Sequence, residues 1–115
     1  MRRVLAAALM LIGAGGLAFG HAVLVEANPP LHGSVAGPDV EFRLRFNSRI
    51  DGARSVLSLV LPDGNVRTLG AGQNTAPDTV SIKADQMKTG HYVLRWQVLA
   101  VDGHITRGEV PFDVR

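Results

Sequence analysis

Between Val40 and Phe46 apolar and polar residues alternate without a break, with Val40, Phe42, Leu44 and Phe46 set against Glu41, Arg43 and Arg45. Successive side chains of a strand point to opposite faces, so this period of two predicts a half-buried β-strand. The pattern returns in His91 to Val101, with Tyr92, Leu94, Trp96 and Val98 on one face, and again at Val110, Phe112 and Val114. Shorter β-rich runs occupy His21 to Ala27, Arg54 to Leu61, Val66 to Leu69 and Thr79 to Lys83. Turn residues punctuate them. Pro29-Pro30 ends the first run, and Gly33 to Asp39 reads as a loop. Pro62-Asp63-Gly64-Asn65 reads as a tight hairpin turn, Gly70 to Asp78 as a polar loop, and Lys88-Thr89-Gly90 as a turn. About seven short strands with alternating apolar faces predict an antiparallel β-sandwich or barrel. The apolar faces of two sheets would supply its core. The sequence has neither an amphipathic helical period nor an internal repeat.

The first twenty residues stand outside this pattern. Arg2 and Arg3 precede an apolar run from Val4 to Ile12, then Gly13-Ala14-Gly15-Gly16, and small residues stand at Ala18 and Gly20. A membrane anchor needs roughly twenty apolar residues, and this run is shorter and broken by glycines. It reads as a signal peptide, residues 1–20, cleaved after Gly20. One domain then runs from His21 to Arg115, in the periplasm or otherwise exported. Cleavage changes the charge argument. The chain has 12 Lys and Arg against 10 Asp and Glu, and loss of Arg2 and Arg3 leaves ten of each. The basic character of the whole chain is therefore no nucleic-acid footprint, and no cluster of basic residues suggests one. The absence of cysteine excludes disulfides and thiolate metal sites.

The domain holds all four histidines, His21, His32, His91 and His104. After cleavage His21 is the first residue. Its α-amine and imidazole Nδ1 could close one chelate ring on a metal ion. The amine, with an ordinary pKa of about 7.7–8.0, loses its proton to a metal near neutral pH. Asp102-Gly103-His104 is the second candidate. If Val101 to Ile105 is extended, residues 102 and 104 share a face, roughly 6.6 Å apart along the strand. The competing reading is an Asp-Gly turn followed by an exposed histidine. His32 reads as a solvated loop residue, His91 as a surface residue or a neighbour of the metal, and Trp96 as core. Glu26 and Glu109 read as solvated. No Ser/His/Asp triad, phosphate loop or paired-carboxylate spacing stands out.

Taken together, His21-Ala22-Val23-Leu24-Val25, Asn28-Pro29-Pro30, the strand Gly90 to Trp96, and Val101-Asp102-Gly103-His104-Ile105-Thr106-Arg107-Gly108 resemble the CopC family of periplasmic copper-resistance proteins. The resemblance implies a seven-stranded, immunoglobulin-like Greek-key β-sandwich. It implies Cu(II) held by the amine and imidazole of His21, by His104 and by Asp102. Such a tetragonal N,O set suits Cu(II), which tops the divalent affinity series; Zn(II) would bind the same ligands more weakly. Some relatives add a methionine-rich Cu(I) loop. Here Met87 is the only methionine after the leader, so the expectation is one Cu(II) per chain and no soft site. The implied role is a monomeric, non-enzymatic carrier or store, with an inner-membrane copper transport protein of the CopD type as partner. Two other readings stay open: a copper-dependent oxidative enzyme built on a histidine brace, and a metal-free immunoglobulin-like interaction module.

Overall fold

The structure, a computed structural model, describes residues 22–115. The predicted leader and His21 lie outside the described residues. Nine strands follow in order: β1 (Leu24–Asn28), β2 (Gly33–Val35), β3 (Val40–Phe46), β4 (Ile50–Val60), β5 (Val66–Gly70), β6 (Gln73–Ala76), β7 (Thr79–Ala84), β8 (Gly90–Ala100) and β9 (Ile105–Val114). They form a four-stranded sheet, β1-β3-β7-β6, and a five-stranded sheet, β2-β9-β8-β4-β5. The chain crosses between the sheets after β1, β2, β3, β5 and β7, and β4–β5, β6–β7 and β8–β9 are hairpins. The described residues contain no helix.

The two-layer, all-β architecture is the one the alternation predicts. β3 runs Val40–Phe46 as expected, with every second residue buried. The strand count differs: nine rather than seven, and one pairing, β2 with β9, is parallel. β2 lies in the expected loop after Pro30, and β6 in the expected polar loop before Asp78. Neither has an apolar face to announce it. β2 is held by the β9 backbone, and every residue of β6, an edge strand, is exposed.

The apolar faces meet in one core. Phe42 packs edge-on against Phe112 at 5.4 Å, Tyr92 stacks on Phe112 at 5.6 Å, and Phe46 meets Trp96 edge-on at 5.1 Å. Burying each such side chain contributes about 1.5–3 kcal/mol, which lets the sandwich stand without cross-links. Met87 is buried in the same core. Asn74 ties the sheets together: Oδ1 accepts from Gly52 N–H, and Nδ2 donates to the Ile50 carbonyl.

At one end of the sandwich three segments are tied together. Val23 N–H donates to Asn47 Oδ1 at 2.8 Å, and Asn47 N–H returns a bond to the Val23 carbonyl at 3.0 Å. Two residues on, the Arg49 carbonyl accepts from Val101 N–H at 3.2 Å. The corner between β3 and β4 therefore clasps both the start of β1 and the turn between β8 and β9.

Candidate metal centre

Asp102, Gly103 and His104 occupy the β8–β9 turn. Gly103 N–H donates to the Ala100 carbonyl and Ala100 N–H to the His104 carbonyl, both at 2.9 Å. Gly103 has φ +93°. This is a short hairpin loop, a tight turn followed by a left-handed residue, and glycine enters that region without steric cost. The extended reading of Val101 to Ile105 is thereby corrected, because the strands end at Ala100 and resume at Ile105.

The turn nevertheless brings the two predicted ligands together. Asp102 Oδ1 accepts from His104 N–H at 3.1 Å and lies 3.2 Å from His104 Nδ1. An aspartate accepting from the backbone two residues on is a standard way of locking such a turn. The His104 N–H holds the Asp102 carboxyl below the usual carboxylate range, helped by the His104 side chain. Both side chains stay open to solvent, 41% exposed for Asp102 and 56% for His104. Two donors each about 2.0–2.1 Å from one ion, at right angles, stand about 2.9 Å apart, so the pair is spaced to share an ion with little movement.

His21 lies outside the described residues. Its neighbour Ala22 is 2% exposed and belongs to the core, and Val23 is clasped by Asn47 as described. Among the described residues no three His, Asp or Glu side chains gather as a metal-holding group. What the described residues contribute to the candidate centre is the Asp102–His104 pair.

The other histidines stand apart from that pair. His91 is the second residue of β8, and at 3.3 Å per residue the strand separates it by about 33 Å from the turn that begins at Val101. Its Nδ1 lies 2.9 Å from Asp113 Oδ1 on β9. His32 is an exposed turn residue at φ 57°, and its N–H donates to the Pro111 carbonyl. Glu26 and Glu109 form exposed pairs with Arg45 and Arg95. The sequence pattern does not reveal Asn47 and Arg49, which join the segment before β1 to the turn. Polar residues in a corner carry no periodicity, so nothing in their spacing marks them.

Fold and turn define a small immunoglobulin-like β-sandwich that displays an aspartate–histidine pair on one hairpin. The CopC domain model matches residues 24–115, and the chain belongs to the CopC family. Protein YobA of Escherichia coli K12 is 31% identical over 98 residues, which span 83% of this chain and 79% of YobA. CopC from Methylosinus trichosporium OB3b superimposes with a TM-score of 0.73 at 30% identity, covering 82% of this chain and 93% of that one. PcoC from Escherichia coli, described as a methionine-rich copper resistance protein, shares the fold with a TM-score of 0.65 at 20% identity, over 83% of this chain and 99% of PcoC.

Proposed function

We propose that this chain is an exported Cu(II)-binding protein of copper homeostasis or resistance. It carries or sequesters one Cu(II) through His21, His104 and Asp102, after removal of residues 1–20. The observation that carries the reading is the Asp102–His104 turn. A carboxylate held ionised and an imidazole nitrogen 3.2 Å away are exposed together. Copper would sit between them, in place of the contact they make with each other. The clasp of Asn47 on Val23 supports His21 as the source of the remaining nitrogens, because it fixes the chain just after that residue at the same end of the sandwich. Membership of the CopC family supports copper as the metal and the periplasm as the compartment.

The reading is of a binding protein rather than an enzyme. A carboxylate seated on copper fills a position that oxygen chemistry needs open. Cu(I) is not the cargo, because a soft site needs several thioethers and Met87 is buried. A recipient is implied, and an inner-membrane copper transport protein of the CopD type is the proposed one.

The experiment is a one-residue extension ahead of His21. It converts the α-amine to an amide and breaks the chelate while leaving every side chain in place. Cu(II) affinity measured by competition should fall severely with the circular dichroism spectrum unchanged. His104→Ala should also weaken binding, and Asp102→Asn less so. Undiminished affinity in the extended protein would sink the reading.

A further inference from the structure

Among the described residues, three buried side-chain polar atoms have no hydrogen-bond partner: Ser48 Oγ, Trp96 Nε1 and Thr106 Oγ1. A polar atom shielded from water and left unpaired costs free energy, so each one calls for a cause. Here they are not scattered. Ser48 lies in the corner that clasps the β8–β9 turn, between Asn47 and Arg49. Thr106 follows His104 by two residues. Trp96 pairs across the hairpin with Gly108, two residues further along β9.

The packing explains how Trp96 comes to be there. Thr106, Gly108, Val110 and Phe112 alternate with the exposed residues of β9 and face the core side. A Cβ on Gly108 would lie 2.3 Å from Trp96 Cζ2 and 3.0 Å from Nε1. The indole therefore fills the space a side chain at position 108 would need, with its N–H beside the β9 backbone. Going inward from the turn, the core side of β9 presents the Thr106 hydroxyl and then the indole N–H. Trp96 is 7% exposed and Thr106 half-buried, yet neither polar atom reaches solvent.

We propose that Thr106 is a positioning residue of the copper centre. When Cu(II) is bound, its hydroxyl makes the hydrogen bond it otherwise lacks, to a group in the copper's own coordination shell. The unpaired hydroxyl is a cost to the metal-free protein that metal loading relieves. A threonine kept only for packing would do better as valine, which has the same shape and no orphan oxygen. The proposal rests on the copper reading above and adds to it a residue that does not touch the metal.

The test compares Thr106→Val and Thr106→Ser with the unaltered protein beginning at His21. Three quantities are read: Cu(II) affinity by competition, the electron paramagnetic resonance spectrum of the Cu(II) form, and the thermal midpoint of the metal-free form. Groups that orient metal ligands typically contribute 10- to 100-fold to affinity, so Thr106→Val should bind Cu(II) about tenfold more weakly. Its spectrum should shift, and its metal-free midpoint should stay level or rise. Thr106→Ser keeps the hydroxyl and should retain the affinity and spectrum of the unaltered protein even if loss of the methyl lowers its midpoint. Unchanged affinity and spectrum in Thr106→Val would overturn the proposal. So would equal losses in the valine and serine variants, which would assign Thr106 to packing. If the unaltered protein binds no Cu(II), the functional reading itself fails, an outcome distinct from these.

Discussion

At the scale of single residues, Asp102 is the informative one. Its carboxyl is depressed chiefly because the His104 main-chain N–H donates to it, and only secondarily by the His104 side chain. A depressed carboxylate favours the folded, ionised form. Any such contribution is present above the ordinary carboxylate range and is lost as pH falls through the folded value. The order of causes gives a prediction. The Asp102 carboxyl, followed by NMR in metal-free protein, should titrate below the ordinary value of about 3.9. His104→Ala should leave part of that depression in place, because the main-chain donor survives the substitution. A complete return to the ordinary value in His104→Ala would make the imidazole the dominant cause. On the proposed copper reading, the consequence is that Asp102 should stay ionised, and able to bind, below the ordinary carboxylate range.

At the scale of elements, the β8–β9 hairpin carries the candidate site, and two glycines shape it in different ways. Gly103 sits at φ +93°, and a Cβ added there would meet nothing within 4 Å, so only backbone conformation opposes a side chain. Gly103→Ala should destabilise by about 1–2 kcal/mol, whereas Gly103→Asn, which tolerates the left-handed region, should cost less. Gly108 is the reverse case, because its φ is not left-handed and the indole of Trp96 occupies the space. Gly108→Ala should cost about 1–3 kcal/mol through overpacking, with Trp96 fluorescence shifting as the ring is displaced. Urea unfolding of the three variants checks both expectations. An unshifted tryptophan spectrum in Gly108→Ala would contradict the packing described. The hairpin also shows what a sequence discloses. β3, β8 and β9 were legible because their apolar residues recur every second position. β2 was not, since Gly33-Ser34-Val35 pairs only with the backbone of a distant strand. β6 was not, since Gln73–Ala76 buries no face. Asp102 and His104 were legible as residues, and so was the Asp-Gly turn signal between β8 and β9. Their geometry was not, because an extended strand and a hairpin turn both bring positions two apart together. Asn47, Ser48 and Thr106 were illegible because their significance lies in partners far along the chain, or in having none.

At the scale of the whole molecule, the two ends of the sandwich differ. The β8–β9 turn, the Asn47–Arg49 corner and the start of β1 meet at one end. Toward the other, Met87 N–H donates to the Pro38 carbonyl and its side chain is sealed in the core. The seating of the segment before β1 has a consequence for how the protein is made. Ala22 is 2% exposed and Val23 exchanges two hydrogen bonds with Asn47. A peptidase must draw several residues on either side of its target bond into an accessible, extended form. On the proposed start at His21, that residue alone separates the bond after Gly20 from this seated segment. Processing should therefore precede folding, so that maturation is a race between the peptidase and the closing of β1 onto β3. Precursor folded in advance should resist signal peptidase, while the same precursor diluted from denaturant directly into the enzyme should be cut. Equal cleavage of the two would show that the first strand opens readily. If the folded precursor does resist cleavage, any delay in processing would leave a folded population without the terminal amine of the proposed site, and the yield of copper-competent protein would be fixed during export.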